Sequence, residues 1–333
     1  MAVTHDDIVA AAARIAEGVE RTPTVRAHAL AKRLGVAVLA LKLETLHRTG
    51  SFKERGALNR LLALTEAERR AGVITMSAGN HAQAVAYHAN RLGIPATVVM
   101  PAATPNAKVM RTRGHGATVL LHGETLSDSA AHARALAAER GLTIVHPYDD
   151  DAIIAGQGTA ALELIADAPD LDTIVIPVGG GGLIAGVAAY VKALDPDVRV
   201  IGVQTADSDA MAQSLAAGRR VTLADVGPFS DGTAVRRVGR ETFAVCRQYV
   251  DEVVRVDTDA ICAAIKDVFQ DTRSILEPAG ALAIAGMKAW LARERLKDAT
   301  VAAIACGANM NFDRLRFVAE RAEVGEQREA LFA

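Results

Sequence analysis

Thr173-Ile174-Val175-Ile176-Pro177-Val178-Gly179-Gly180-Gly181-Gly182-Leu183-Ile184-Ala185-Gly186-Val187-Ala188-Ala189-Tyr190-Val191 carries no charge from end to end. Its length is that of a bilayer-spanning helix. Pro177 and four consecutive glycines argue against one, because proline breaks a helix interior and glycine weakens it. The stretch reads instead as a buried strand over 173–178, a glycine turn and a buried helix from Gly182. An apolar strand followed by an apolar helix is the unit of a parallel sheet covered on both faces.

The pattern continues outward in both directions. Short apolar runs at 36–44, 73–77, 96–100, 117–121, 143–146, 199–204 and 301–305 predict further strands. Helical periodicity fills 52–64, 80–91, 125–140, 258–272 and 279–296. This alternation predicts an α/β protein with open, twisted, mainly parallel sheets under helices. Residues 48–147 hold four short βα units of their own. They read as a small domain inserted into a large one made of 1–47 and 148–333.

Composition narrows the function classes. The 333 residues are 50% hydrophobic, with a net charge of −2 and no block of like charges. Such a chain has a large core and no footprint for nucleic acid or an anionic membrane. Cys246, Cys262 and Cys306 are too few and too scattered for a disulfide framework or a metal site, which points to a reducing cytoplasm. The N-terminus carries Asp6, Asp7 and Arg14 and lacks the apolar block of a signal peptide.

Three loops carry chemistry. In Thr49-Gly50-Ser51-Phe52-Lys53-Glu54-Arg55-Gly56 the lysine opens a helix, where the dipole disfavours its charged form and so favours the nucleophilic amine. The bland reading is a solvated surface lysine. Phe52 reads either as core or as one wall of a ring slot. Gly179 to Gly182 open a helix with a run of free N–H groups, which suits a single phosphate. The rival is a dinucleotide fingerprint, but that motif normally follows the first strand and is completed by an acidic residue, whereas the next strand here ends at Gln204. Ser77-Ala78-Gly79-Asn80-His81 is either an ordinary turn with an Asn cap or a cradle for a carboxylate, with the Asn80 amide available to a phenolic oxygen. His81 reads as a supporting residue, not the main base. Together a Schiff-base lysine, a phosphate loop and a carboxylate turn describe a site for pyridoxal phosphate and an amino acid.

Two further motifs are open. Cys306-Gly307-Ala308-Asn309 follows a strand, so Cys306 is either inert packing or a neutral thiol facing a pyridine nitrogen, a pairing that suits β-elimination. Glu277-Pro278-Ala279-Gly280 starts a helix, so Glu277 is equally a cap or an acid near the cofactor. Asp231-Gly232-Thr233-Ala234 has the look of a loop without a signal of its own.

These motifs, in this order and spacing, resemble fold-type II pyridoxal-phosphate enzymes of the threonine dehydratase (threonine deaminase) and serine racemase branch. The run Asn311-Phe312-Asp313-Arg314-Leu315-Arg316 through Glu326-Gln327-Arg328 resembles the biosynthetic threonine dehydratases. The resemblance implies that Lys53 holds the cofactor and moves the Cα proton. It places Phe52 beside the ring, Asn80 on its O3′, Gly179 to Gly182 with Leu183 on the phosphate, and Cys306 at the pyridine nitrogen. Ser77, Ala78, Gly79, Asn80 and His81 would frame the substrate carboxylate, with Glu277 and Gly232 in support. It also implies a homodimer or homotetramer that converts L-threonine to 2-oxobutanoate and ammonia by Schiff-base formation, α-proton abstraction and loss of the β-hydroxyl.

Three departures qualify it. Serine racemases have a second Ser where Ala78 stands, so racemisation should be weak. Biosynthetic dehydratases usually continue into an isoleucine-sensing domain, which is expected to be missing here. Relatives with a divalent-metal loop have Glu at Gln204, so no metal is expected. The alternatives are a serine or 3-hydroxyaspartate dehydratase and a silent cofactor-binding regulator. A β-replacement enzyme is disfavoured because it has Thr where His81 stands, and a dinucleotide dehydrogenase is remote.

Overall fold

The computed structural model describes residues 3–296 and 298–326, so Gln327 and Arg328 of the C-terminal run lie outside the described residues. Its strands are β1 (Thr24–Arg26), β2 (Val38–Leu43), β3 (Val73–Met76), β4 (Ala96–Met100), β5 (Thr118–Leu121), β6 (Thr143–Ile144), β7 (Thr173–Pro177), β8 (Arg199–Thr205), β9 (Glu252–Val256) and β10 (Thr300–Ala305). They form a six-stranded sheet, β1-β2-β10-β7-β8-β9, and a four-stranded sheet, β5-β4-β3-β6. Every pairing is parallel except β1 with β2. The α/β reading of the sequence, with two mainly parallel sheets under helices, is the observed architecture.

The uncharged stretch shows why. Side chains alternate across a strand. Ile174 and Ile176 of β7 therefore enter one core with Leu183, Ile184 and Val187 of the helix Gly182–Leu194. Val175 enters the opposite core, with Leu282, Ile284 and Trp290 of the helix Pro278–Glu294. In the smaller sheet Val73 and Val98 face one core while Ile74 and Val99 face another. A strand buried on both faces has no reason to alternate in polarity.

The sequence reading missed the two edge strands of the six-stranded sheet. β1 has three residues, none fully buried, and β9 exposes Arg255. Short, charged edges carry little periodic signal. It also missed the helix Asp151–Asp167, which contains Gly156 and Gly158. Those glycines are contact points rather than breaks. A Cβ on Gly158 would lie 2.8 Å from the Gly186 carbonyl oxygen, and one on Gly156 would lie 2.6 Å from Gly56 Cα. Helix backbones cross there at a distance no side chain allows. We expect Gly158→Ala to cost about 1–3 kcal/mol, because the Gly186 carbonyl oxygen at 2.8 Å is backbone and cannot step aside, although the Ile8 Cδ1 at 2.9 Å is a side chain that can. Gly114→Ala, with open space around it, should stay within about 0.5 kcal/mol of the parent. Urea unfolding of the two variants makes the comparison.

Candidate active site

Parallel sheets offer their ligand crevice beyond the carboxyl ends of the strands. Here the loops after β3, β6, β7 and β10 meet the start of the helix Lys53–Leu62 around a cavity of ≈ 260 Å³. Phe52, Lys53, the turn from Ser77 to His81, the loop from Gly179 to Leu183, Gly232, Glu277 and Cys306 all line it. The structure therefore brings every site residue named from the sequence to one place.

Lys53 is the first residue of its helix. The preceding segment is tied to the end of β10, where Phe52 N–H donates to the Cys306 carbonyl at 3.1 Å and Ser51 bridges Gly307. Lys53 Nζ donates to the Pro147 carbonyl at 2.7 Å and lies 5.1 Å from the Phe52 ring centroid. Burial brings its pKa down to about 8. Lys53 is thus a lysine with a substantial neutral fraction at physiological pH.

The glycine loop is packed tightly from outside. A Cβ on Gly180 would lie 2.3 Å from the Tyr148 ring, and one on Gly179 would lie 3.1 Å from Thr233 Cα. Gly181 has φ +99°, a conformation L side chains avoid. Only glycine gives this path, and it leaves backbone N–H groups to line the cavity. The turn after β3 does the same work. Gly79 is the N-cap of the helix Asn80–Arg91 without a side-chain cap. The first-turn donors of that helix therefore keep their hydrogen-bonding capacity for an anion.

Two open readings close here. The Asn80 side chain is no helix cap: its Nδ2 donates to Glu277 Oε1 at 2.5 Å, and its Oδ1 accepts from Asn309 Nδ2 at 2.9 Å. Glu277 occupies an N-cap position but its side chain caps nothing. Instead its carboxyl lines the cavity, and burial lifts its pKa to about 7. His81 is buried with Nε2 3.0 Å from the Val145 carbonyl. Since only an N–H can satisfy a carbonyl, Nε2 carries the proton. Burial and the charge of Lys53 bring its pKa down to about 3, so the ring is neutral. The Cys306 thiol, pushed up by burial, donates to the Ala279 carbonyl at 3.3 Å.

The cavity has walls that sequence reasoning missed. Pro147 and Tyr148 come from the end of β6, and Lys108 reaches across the mouth to pair with Asp231. The strand-end rule would have flagged Pro147 and Tyr148. Nothing local marks Lys108. Gln204 is fully buried, and both ends of its amide are engaged: Nε2 with the carbonyls of Val178 and Ser208, Oε1 with the N–H groups of Met211 and Ala212.

The family model for pyridoxal-phosphate dependent enzymes matches residues 15–307. The chain belongs to that family. Its cofactor is pyridoxal phosphate, and a lysine between a glycine loop and a second helix N-terminus, both lining one cavity, fits that group. Among curated relatives, the L-threonine dehydratase biosynthetic IlvA of Burkholderia multivorans is 58% identical over 297 residues, which cover 88% of this chain and 59% of that protein. The chain thus spans about three fifths of that relative's length. Among solved structures, the processed form of threonine deaminase isoform 2 from Solanum lycopersicum superposes with a TM-score of 0.93 at 43% identity, covering 96% of this chain and 87% of that one. Maize serine racemase gives 0.90 at 34% identity, covering 96% and 99%. Among the described residues, no helix is long and apolar enough to cross a membrane.

Proposed function

We propose that this chain is the catalytic part of a threonine ammonia-lyase, removing water from L-threonine to give 2-oxobutanoate and ammonia in isoleucine biosynthesis. The observation that carries the reading is the 58% identity to an L-threonine dehydratase over 88% of this chain. The bound cofactor supplies an aldehyde and an electron-withdrawing ring that stabilises charge at an amino acid's α-carbon. Lys53 holds it and moves the Cα proton. Gly179 to Gly182 and Leu183 take its phosphate, Asn80 its phenolic oxygen and Cys306 its ring nitrogen, with Phe52 alongside. Ser77, Ala78, Gly79 and His81 place the substrate carboxylate at the helix N-terminus. Glu277 and Gly232 stand behind them.

Ala78 favours elimination over racemisation, because its methyl group cannot move a proton on the face opposite Lys53. The four strands β3 to β6 form a sheet of their own, which supports an inserted domain at 48–147. A net charge of −2 and three scattered cysteines support a cytoplasmic enzyme acting on small amino acids. We take it to be a homodimer or homotetramer. The test is 2-oxo acid release from L-threonine, L-serine and L-threo-3-hydroxyaspartate by the holoenzyme. Threonine should give the highest kcat/KM. A higher value for either of the others renames the substrate and leaves the chemistry. No turnover of any of them, in protein that retains cofactor, overturns the reading.

A further inference from the structure

Asp149 lies in the turn between β6 and the helix Asp151–Asp167, with no motif around it. His146 Nδ1 accepts from the N–H of Tyr148 at 3.3 Å and of Asp149 at 2.8 Å, which folds the turn tightly. The Asp149 carboxylate then meets the start of the helix Arg240–Tyr249. Its Oδ2 accepts from Arg240 N–H at 2.8 Å, and its Oδ1 accepts from Glu241 N–H at 2.8 Å and Thr242 N–H at 3.5 Å. That helix has Gly239 at its N-cap and so no cap of its own. Asp149 caps it from 91 residues away.

The capped turn holds the glycine loop. Thr242 is fully buried, and its Oγ1 donates to the Gly180 carbonyl at 2.7 Å, which Gly239 N–H also reaches at 3.3 Å. In a planar trans peptide the C=O and the following N–H point in opposite directions. Pinning the Gly180 carbonyl outward therefore turns the Gly181 N–H the other way, toward the cavity that Gly181 lines. The φ of +99° at Gly181 then turns the chain into the helix that begins at Gly182.

We infer that Asp149 and Thr242 are positioning residues that set the phosphate affinity of the glycine loop without touching the cofactor. The inference rests on the proposed reading of Gly179 to Gly182 as the phosphate site. Its test is titration of the apoprotein with pyridoxal phosphate and, separately, with pyridoxal, which has the same aldehyde and no phosphate. Thr242→Val keeps the shape and loses the donor. It should weaken pyridoxal phosphate binding about tenfold and change pyridoxal binding by less than about twofold. Thr242→Ser should restore the phosphate preference. Asp149→Ala should act in the same direction, and Asp149→Asn, which keeps one acceptor oxygen, substitutes for it if the alanine variant does not fold. Equal weakening of both ligands, or no weakening of either, overturns the inference. A parent protein that binds the two ligands equally overturns the phosphate-site reading itself, and the difference between those outcomes separates the two failures.

Discussion

On the proposed reading, Lys53→Ala should lower 2-oxo acid release from L-threonine by at least about 10⁴-fold, because one side chain would supply both the covalent attachment and the proton transfer. Neither His81 nor Cys306 replaces it. His81 is neutral with its Nε2 proton committed to Val145, and the Cys306 thiol is held protonated by burial. The loss should not be one of folding. Burial disfavours the charged form of Lys53, so that charge opposes folding fully below pH about 8, and the opposition fades as pH rises toward the ordinary lysine value of about 10.4. The melting temperature of the variant apoprotein should therefore not fall at pH 7. Uptake of pyridoxal phosphate by parent apoprotein has a matching pH dependence. With a pKa of about 8, about a tenth of the amine is neutral at pH 7, against a few parts in ten thousand for an ordinary lysine. The uptake rate should climb with pH and level off above about 8. A climb that continues to pH 10 would show that Lys53 is not perturbed.

What the sequence revealed was local chemistry next to apolar runs. The glycine loop, the turn at Ser77 to His81 and the position of Lys53 were all legible, because each sits where a strand ends or a helix begins. So were the interior parallel strands, whose unbroken apolar character needs burial on both faces. What it hid was anything set by partners distant in the chain. The helix with Gly156 and Gly158 went unread, because the backbones of Gly56 and Gly186, which those glycines touch, lie far away in sequence. Asp149 carried no signal in the sequence, since the helix it caps starts at Arg240. Glu277 stood open between cap and acid until Asn80, 197 residues away, was placed against it. Arg55 was visible two residues past Lys53, yet nothing in its neighbours marked it as buried.

Arg55 carries the second large effect, on stability. It is 1% exposed and grips two carboxylates at once. Nε and Nη2 donate to Glu44 at 2.6 and 2.8 Å, while Nη1 and Nη2 donate to Glu163 at 2.7 and 2.8 Å. Lys42 Nζ donates to Glu163 at 2.7 Å, and Thr22 Oγ1 and His47 Nε2 complete the shell of Glu44 at 2.6 and 2.9 Å. Two carboxylates balance two cations, so the cluster is neutral as a whole, and it ties the helix of Lys53 to the end of β2 and to the helix Asp151–Asp167. Replacing the pair outright by apolar groups of the same size would cost little. Removing only Arg55 leaves Glu44 charged in the interior, which should cost about 3–5 kcal/mol in Arg55→Met. Burial pushes Glu44 upward, but Arg55 and His47 outweigh it and hold its pKa well below 4.5; Glu163 is lowered in the same way. The network's contribution is thus complete well above pH 4.5, starts to decline near it, and is lost as pH falls through the lowered native-state values. Without Arg55 the burial of Glu44 dominates, so its carboxyl takes up a proton more readily and the strain of the buried charge relaxes in acid. Urea unfolding should therefore show the full gap between parent and Arg55→Met at pH 7 and a much smaller one at pH 4. A gap that stays constant between those pH values would mean that Arg55 acts through packing alone.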